Sequence, residues 1–382
     1  MSKTKQDARG KTDRSTYGFW APRIWSGINM TGWFRLLARH RFAVSPSRVG
    51  MVLIVCGLSV FNSFLWLIQM LVYGRKIART EIAGDPIFVI GHWRSGTTLL
   101  HELMVLDPRH TYPNTYQCFA PNHFLISAAL IPWWLRYLMP ARRPMDNMPV
   151  GWEYPQEDEF ALCNMGIPSP YLRFAFSNHA PDSAEYLDLE GLSPRALARW
   201  KRGFLWFLKC LTLREPKRIV LKSPPHTARV KVLLEMFPDA RFVHIVRDPY
   251  AVFPSTVKTW KRFYDDQGAQ VPKYEGLEEC VFDTFTRMYE AFEQGRRRLD
   301  PSHICDVRYE ELVKDPIGQM RRIYDHFGLG EFDKVLPALE QYAARTADYK
   351  PGTYELPAET RDAIDRRWAA FIERYGYGRG EG

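Results

Sequence analysis

Cysteine motifs are missing from this chain of 382 residues. Its six cysteines are scattered along the sequence, with no C-x-x-C pair and no short cluster of cysteine and histidine. A disulfide framework and a zinc site both need such spacings, so the sequence argues against both classes of protein. We therefore expect free thiols, a reducing compartment and no bound metal.

Internal repeats and low-complexity tracts are missing as well, and the overall composition is ordinary. The chain is 46% hydrophobic and 25% charged, which is the balance of a globular protein with a sizeable core. Its length suits one large domain or two small ones. The net charge of +9 is compatible with an anionic ligand, an anionic membrane surface or nucleic acid, and does not choose among them.

Formal charge is absent from Val49 to Tyr73, a run long enough to cross a bilayer. The run begins too far into the chain for an ordinary cleaved signal peptide. Polar residues at helical offsets mark one face of it, namely Ser59, Asn62, Ser63 and Gln69. Such a helix can cross a membrane, lie in its interface or pack on a soluble domain. We expect a basic arm over 1–48, an apolar, membrane-associated helix over 49–80 and one domain over 81–382.

Short apolar runs alternate with helical segments from Gly84 onward. This pattern predicts an α/β fold with a central parallel sheet between helices. The candidate strands cover residues 87–90, 218–221, 241–246 and 303–307. A long insertion, from about 107 to 212, separates the first two, and prolines are frequent in it. We expect the insertion to consist of short helices and loops that bind the acceptor.

A glycine-framed basic turn follows the first predicted strand. Gly91 and Gly96 have the spacing of the G-x-x-x-x-G-K-[ST] phosphate loop, but Thr97 stands where that motif has its lysine. The cation lies inside the turn instead, at Arg94. Backbone N–H groups, the start of a helix and a guanidinium group together predict a phosphate site.

A second strand end carries a similar arrangement. Arg247 follows the strand 241–246, and Ser255 lies eight residues further on, in a predicted helix. Open α/β sheets bind ligands beyond the carboxyl ends of their strands, so we expect Arg247 and Ser255 to hold a second phosphate. Two such sites indicate a ligand with two separated anionic groups.

These two segments resemble the nucleotide-binding segments of the sulfotransferases that use 3′-phosphoadenosine 5′-phosphosulfate. The resemblance runs from about Gly84 to Gly330 and includes Val307–Leu312. It implies a P-loop-like three-layer sandwich around the parallel sheet. It also implies donor-binding residues: Arg94, Ser95, Gly96, Thr97 and Thr98 at the 5′ end, Arg247 and Ser255 at the 3′ end, and Tyr309 near the adenine.

The same resemblance implies catalytic roles. Lys222, at the end of a predicted strand, is similar in position to a family lysine that neutralises charge on the bridging oxygen as its bond to sulfur breaks. Arg94 would act beside it, without a metal ion. The base that takes the acceptor's proton stays open among Glu157, Glu159 and His226. The two carboxylates have the simpler alternative role of complementing a helix N-terminus.

We expect the acceptor to be a hydrophobic molecule with a hydroxyl group, such as a lipid or a quinol. Pro155–Phe160 resembles a segment of the bacterial sulfotransferases that modify lipids and isoprenoid quinones. Aromatic residues also crowd the insertion, either as an acceptor pocket or as ordinary core. They are Tyr116, Phe119, Phe124, Trp133, Trp134, Tyr137 and Trp152. We expect the protein to be cytoplasmic, at the inner face of a membrane, and to bind no nucleic acid. Lys350–Gly352 is a further candidate for phosphate binding.

Two other functions are open at this point. A phosphate-loop kinase or nucleotide hydrolase would bind a triphosphate at the turn and hold magnesium with Asp248, but no lysine follows Gly96. A non-enzymatic membrane adaptor for anionic lipids would rely on the basic arm. That function leaves Lys222, Arg247 and Ser255 without a role.

Overall fold

A five-stranded parallel sheet forms the centre of the molecule in a computed structural model that describes residues 22–129, 131, 151–179, 183–346 and 354–378. The strands lie in the order β2–β3–β1–β4–β5, and all neighbouring pairs are parallel. They are β1 (Ile87–Ile90), β2 (His110–Thr111), β3 (Arg218–Lys222), β4 (Arg241–Val246) and β5 (Ile304–Arg308). The predicted α/β fold with a central parallel sheet is confirmed.

The sequence predicts four of these strands closely. The bounds of β1 and β4 match the prediction, β3 extends one residue further to Lys222, and β5 begins at Ile304 instead of His303. The edge strand β2 is not predicted, because two residues are too few to show an alternating pattern. It belongs to the insertion and pairs with β3.

Helices cover both faces of the sheet. They are α1 (Met30–Arg39), α2 (Val49–Arg79), α3 (Thr97–Met104), α4 (Thr115–Phe119), α5 (Phe124–Ser127), α6 (Asp158–Asn164), α7 (Pro194–Arg214), α8 (Val230–Met236), α9 (Pro249–Gln267), α10 (Leu277–Arg296), α11 (Tyr309–Lys314), α12 (Pro316–Phe327), α13 (Phe332–Thr346), α14 (Ala358–Arg367) and α15 (Ala369–Tyr375). Alternate side chains of β1 belong to two hydrophobic cores, one containing Phe88 and Ile90 and the other Ile87 and Val89. The result is a three-layer sandwich.

The insertion only partly follows the expectation of short helices and loops. Helices α4, α5 and α6 are short, but α7 has 21 residues, and its presence corrects the prediction. The physical reason lies in the prolines. They are frequent up to Pro170, whereas Pro194 occupies the first turn of α7 and none follows it within the helix, where proline would break the hydrogen bonding.

The chain before α2 is packed on the domain. Trp25 and Trp33 are fully buried, and the indole Nε1 of Trp25 donates to the carbonyl oxygen of Gln267 at 2.8 Å. Residues 22–48, expected to belong to a basic arm, thus form α1 and part of a core. The first 21 residues of that predicted arm lie outside the described residues.

Candidate active site

The carboxyl ends of four strands bring the predicted site residues to one edge of the sheet. β1 leads into the turn at Gly91, β3 ends at Lys222, β4 is followed by Arg247 and β5 by Tyr309. Because these strands are parallel and adjacent, their carboxyl ends form one surface. This is where open α/β sheets bind their ligands.

The turn after β1 needs both of its glycines. Gly91 and Gly96 have φ angles of +150° and +99°, and a Cβ atom at Gly96 would lie 2.3 Å from Cδ2 of Tyr309. Arg94 also has a positive φ, of 67°. Gly96 directly precedes α3, so the amides at the start of that helix open onto the turn. This arrangement favours an anion.

The two predicted phosphate-binding segments are in direct contact. Arg94 Nε donates to Ser255 Oγ at 2.9 Å, and Arg247 Nη1 donates to the Arg94 carbonyl oxygen at 3.0 Å. The guanidinium carbon of Arg247 lies 4.2 Å from the ring centroid of Tyr309. Both arginines are partly exposed. The structure therefore joins these four residues into one cationic surface.

The hydroxyl residues of the turn differ in position. Ser95 Oγ donates to the His92 carbonyl oxygen at 2.7 Å and is buried, so this hydroxyl closes the turn. Thr97 is buried at the start of α3, whereas Thr98 is partly exposed.

A hydrogen-bonded chain links the turn to the end of β3. Lys222 Nζ donates to Glu157 Oε1 at 2.9 Å, and the Tyr171 hydroxyl donates to Glu157 Oε2 at 2.5 Å. Trp93 Nε1, from the turn, donates to the same tyrosine oxygen at 2.9 Å. Burial, and then the neighbouring Glu157 carboxylate, raise the pKa of Tyr171 well above its ordinary value. Tyr171 therefore stays a proton donor to Glu157.

Sequence reasoning missed Tyr171. It lies on a 3₁₀ segment, Pro170–Phe174, in the proline-rich part of the insertion, where a single tyrosine forms no motif. Trp93, which donates to Tyr171, lies inside the predicted turn. Its position there was the only feature of the sequence that could have pointed to this hydrogen-bonded chain.

The next two acidic residues are buried in pairs with the segment after β3. Asp158 Oδ2 lies 2.6 Å from His226 Nε2, and its Oδ1 accepts from Ser223 Oγ at 2.9 Å. Burial would raise the pKa of Asp158, but the charge and hydrogen bond of His226 outweigh it and lower that pKa. Glu159 accepts two hydrogen bonds from Arg229, at 2.5 and 3.0 Å. These pairs fasten the start of α6 onto the sheet.

Exposure separates the three candidate bases. The side chain of Glu157 is 15% exposed, whereas Glu159 and His226 are completely buried. The rings of Phe88 and Phe204 each lie 5.4 Å from the His226 ring. Since a base must reach the proton of a bound acceptor, the geometry favours Glu157.

The aromatic residues of the insertion divide into two groups. Tyr116, Phe124 and Trp152 are buried in the main core, and Phe119 packs against it. Trp133, Trp134 and Tyr137 lie outside the described residues, as does Lys350–Gly352. A separate cavity of about 310 Å³ is lined by rings that include Trp93, Tyr171, Phe174 and Trp260. It adjoins the hydrogen-bonded chain to Glu157.

Buried neutral histidines predict a loss of stability in mild acid. Burial lowers the pKa of His92 and His101 to about 3 and that of His123 to about 4. Their pKa in the unfolded chain is about 6.5, so the folded state binds fewer protons and its stability falls as the pH drops below 6.5. At pH 5.5 each should cost about 1.4 kcal/mol. The raised pKa of Asp248 and of Asp266 offsets part of this.

Urea unfolding at pH 7.5 and 5.5 measures this effect directly. We expect a free energy of unfolding several kcal/mol lower at pH 5.5, up to about 4 kcal/mol from the three histidines. Equal values at the two pH values would show that these histidines are not held neutral.

Within the part of the chain that the structure describes, no group of three or more histidine, cysteine, aspartate or glutamate residues is arranged to hold a metal ion.

Comparison with known proteins gives a consistent result. The model of the family described as "Sulfotransferase family" matches residues 86–334. The omega-hydroxy-beta-dihydromenaquinone-9 sulfotransferase Stf3 of Mycobacterium bovis is 47% identical over 371 residues, which cover 97% of this chain and 95% of that protein. The same protein from Mycobacterium tuberculosis matches equally well.

Solved structures agree on the fold. Sulfotransferase STF1 from Mycobacterium tuberculosis has a TM-score of 0.64 and 21% identity, covering 92% of this chain and 94% of its own. Sulfotransferase STF9 from Mycobacterium avium has the same TM-score and identity, covering 91% and 96%. The family model and the 47% identical relatives favour a sulfotransferase over the kinase, the nucleotide hydrolase and the non-enzymatic adaptor. Because the family model matches residues 86–334 and the two mycobacterial relatives are 47% identical over 97% of the chain, the chain belongs to the sulfotransferase family and is a sulfotransferase.

Proposed function

We propose that the sulfuryl donor is 3′-phosphoadenosine 5′-phosphosulfate. The observation that carries this proposal is the contact between Arg94 and Ser255, together with that between Arg247 and the Arg94 carbonyl. These contacts set two cationic anchors side by side, which suits a nucleotide with phosphates at both its 3′ and 5′ ends. In this proposal Ser95 to Thr98 hold the 5′ end through the turn and the start of α3. Arg247 and Ser255 hold the 3′ phosphate, and Tyr309 lies near the adenine.

The proposed reaction rests on the hydrogen-bonded chain of side chains between the turn and the end of β3. The acceptor oxygen attacks sulfur in line, and the bond from sulfur to the bridging oxygen breaks. That oxygen leaves on the nucleotide with the bonding electron pair, and Lys222 and Arg94 neutralise its developing charge. Glu157 takes the hydroxyl proton. Tyr171 holds one carboxylate oxygen of Glu157 so that the other stays next to Lys222.

We infer that the acceptor is a lipophilic alcohol. The name of the relative from Mycobacterium bovis, 47% identical over 97% of this chain, specifies a hydroxylated menaquinone derivative. Trp93 and Tyr171 line a cavity whose wall combines aromatic with charged side chains. Because Tyr171 is hydrogen-bonded to Glu157, these rings support an apolar acceptor near that carboxylate. An acceptor of this class is found in membranes, and we propose that the enzyme works in the cytoplasm at the inner face of a membrane.

Calorimetry tests the donor proposal without knowledge of the acceptor. We expect 3′-phosphoadenosine 5′-phosphate, the product nucleotide, to bind without added metal and more tightly than ATP with magnesium. Preferential binding of ATP with magnesium would contradict the proposal, as would binding of neither nucleotide.

Arg247→Ala tests the second phosphate site. Removing a charged donor costs about 1.5–3 kcal/mol, so the Kd for 3′-phosphoadenosine 5′-phosphate should rise about 10- to 100-fold. Arg241→Ala is the matched control, because Arg241 lies at the opposite end of the same strand and donates to the Phe327 carbonyl oxygen. Its Kd should match that of the unaltered protein. An unchanged Kd in Arg247→Ala would rule out the assigned site.

A further inference from the structure

Helix α2 buries polar as well as apolar residues against the protein and leaves large apolar side chains exposed, unlike an ordinary surface helix. Ser59, Asn62 and Gln69 are buried against the protein. Large apolar side chains on the opposite face are exposed, for example Leu71 at 79% and Leu53 at 64%. In a globular protein the apolar face normally turns inward. The outward apolar face therefore needs a covering partner.

The exposed apolar side chains form one continuous stripe. Its members are Leu53, Val60, Phe64, Leu67 and Leu71, each 51% exposed or more. Their spacings of seven, four, three and four residues keep them on one side of an α-helix. Met30, Phe34 and Phe42, on or beside α1, add further exposed apolar surface, and α1 packs against α2. We call the five α2 side chains the apolar stripe.

The polar face of α2 is fixed by specific hydrogen bonds. Asn62 Nδ2 donates to the carbonyl oxygens of Ser26 and Ile28 at 2.8 and 3.1 Å. Gln69 Oε1 accepts from the Leu125 amide at 2.9 Å. Rotating α2 would break these bonds and leave buried polar groups unpaired. The outward direction of the stripe is thus built into the fold.

The hydrogen bonds between α2 and the rest of the domain also argue against a membrane-spanning α2. They extend from Cys56, which accepts from Trp33 Nε1, to Ala78, whose carbonyl oxygen accepts from Lys209 Nζ at 2.8 Å. These 23 residues cover about 33 Å of helix, at a rise of 1.5 Å from each residue to the next. The hydrocarbon core of a bilayer is about 30 Å thick. A spanning α2 would therefore pull the partners of Asn62 and Gln69, namely the backbone of Ser26 and Ile28 and the start of α5, into the hydrocarbon.

The charges around the apolar stripe indicate which kind of surface covers it. From Arg14 to Thr80 the chain has nine arginines and lysines and no aspartate or glutamate. Arg75, Lys76 and Arg79 are exposed at one end of α2, and Arg41 is exposed after α1. An apolar stripe with cationic ends matches the acyl region and anionic headgroups of a lipid surface. A second copy of the chain would bring like charges together.

We propose that the enzyme docks on anionic membranes through the apolar stripe, with α2 lying flat in the interface instead of crossing it. The docked side adjoins the acceptor side, because the Asn29 amide donates to the Asn164 carbonyl oxygen at the end of α6. Glu157 directly precedes this helix, which at seven residues is about 10 Å long. Docking therefore gives an acceptor dissolved in the membrane access to Glu157, and this consequence rests on the proposed function. The docking itself does not.

Vesicle sedimentation with the full chain tests the docking. The protein should sediment with mixed phosphatidylcholine–phosphatidylglycerol vesicles and less with phosphatidylcholine alone. Replacing Phe64, Leu67 and Leu71 together by Asn should weaken binding about 1000-fold or more, since burying each side chain contributes about tenfold or more. The matched control is Val271→Asn, at an apolar residue that is 52% exposed elsewhere, and it should bind like the unaltered protein. Failure of the unaltered protein to sediment, or undiminished binding of the triple variant, would overturn the proposal.

Nitroxide depth measurements distinguish the flat orientation from a spanning one. Labels at Leu53→Cys, Val60→Cys and Leu71→Cys should report similar depths, after subtraction of the labelled unaltered protein as background. A label at Val60 much deeper than the other two would show a spanning helix. Solution dimers that the triple variant lacks, without vesicle binding, would instead identify a second copy as the partner and overturn the proposal.

Discussion

Glu157→Gln should lower kcat about 1000-fold, within the range of about 10²–10⁴ that a general base contributes. Glutamine keeps the shape of the side chain and can still accept the hydrogen bond of Lys222, but it cannot take the acceptor's proton. The Kd for 3′-phosphoadenosine 5′-phosphate should stay unchanged, because Glu157 is proposed to act on the acceptor and lies outside the turn proposed to bind the nucleotide. Steady-state kinetics and calorimetry measure the two quantities.

Glu159→Gln is the control for this variant, two residues away in the same segment. Glu159 and Arg229 are completely buried, and removing one partner of such a pair typically costs about 3–5 kcal/mol of stability. We expect a lower free energy of unfolding but a kcat close to that of the unaltered enzyme per folded molecule. The reverse pattern, with activity lost in Glu159→Gln and kept in Glu157→Gln, would assign the base to Glu159.

Lys222→Met should lower kcat about 100- to 1000-fold, the typical cost of removing one group that stabilises transition-state charge. Methionine has a similar length and no charge, and the Lys222 side chain is only 2% exposed, so the variant leaves no large cavity. Steady-state kinetics with a saturating donor gives kcat. A kcat within a few-fold of the unaltered value would refute this role.

A double variant shows whether the two residues act as one unit. Lys222 and Glu157 are joined by a 2.9 Å hydrogen bond, and directly interacting residues have non-additive effects. Lys222→Met combined with Glu157→Gln should therefore lose less activity than the product of the single effects. Strict multiplication of the two effects would indicate independent roles.

Local motifs made much of the site predictable. Arg94, Lys222, Arg247 and Tyr309 each follow or end an apolar run, and the rule that parallel strands share one carboxyl edge brings them together. The contact between Arg94 and Ser255 was beyond prediction, because it depends on how α9 leaves β4. Sequence patterns define strand ends well but contain little information on side-chain contacts between elements.

The acidic segment shows a second limit. Glu157, Asp158 and Glu159 look equivalent in sequence, yet they pair with Lys222, with His226 and Ser223, and with Arg229 respectively. Only Glu157 keeps part of its side chain exposed, 15% against none for the other two. Burial of each side chain depends on how the start of α6 packs against the end of β3 and the segment that follows it, which no pattern of residues in the insertion reveals. Tyr171 escaped prediction for the same reason.

The polar positions of α2 were recognised correctly as one face, but their direction was not predictable. Helical periodicity groups Ser59, Asn62 and Gln69 without indicating what the group faces. In the structure it faces the backbone of residues 24–28 and the start of α5.

Transfer of labelled sulfate tests the central claim most directly. The enzyme is incubated with 3′-phosphoadenosine 5′-[³⁵S]phosphosulfate and a lipid extract that contains hydroxylated isoprenoid quinones, and the products are identified by mass. We expect label in a sulfate ester of a lipophilic alcohol, formed in equal amount with 3′-phosphoadenosine 5′-phosphate and at an initial rate about 100- to 1000-fold lower in Lys222→Met. Absence of labelled lipid, or label transferred only to water-soluble acceptors, would contradict the account.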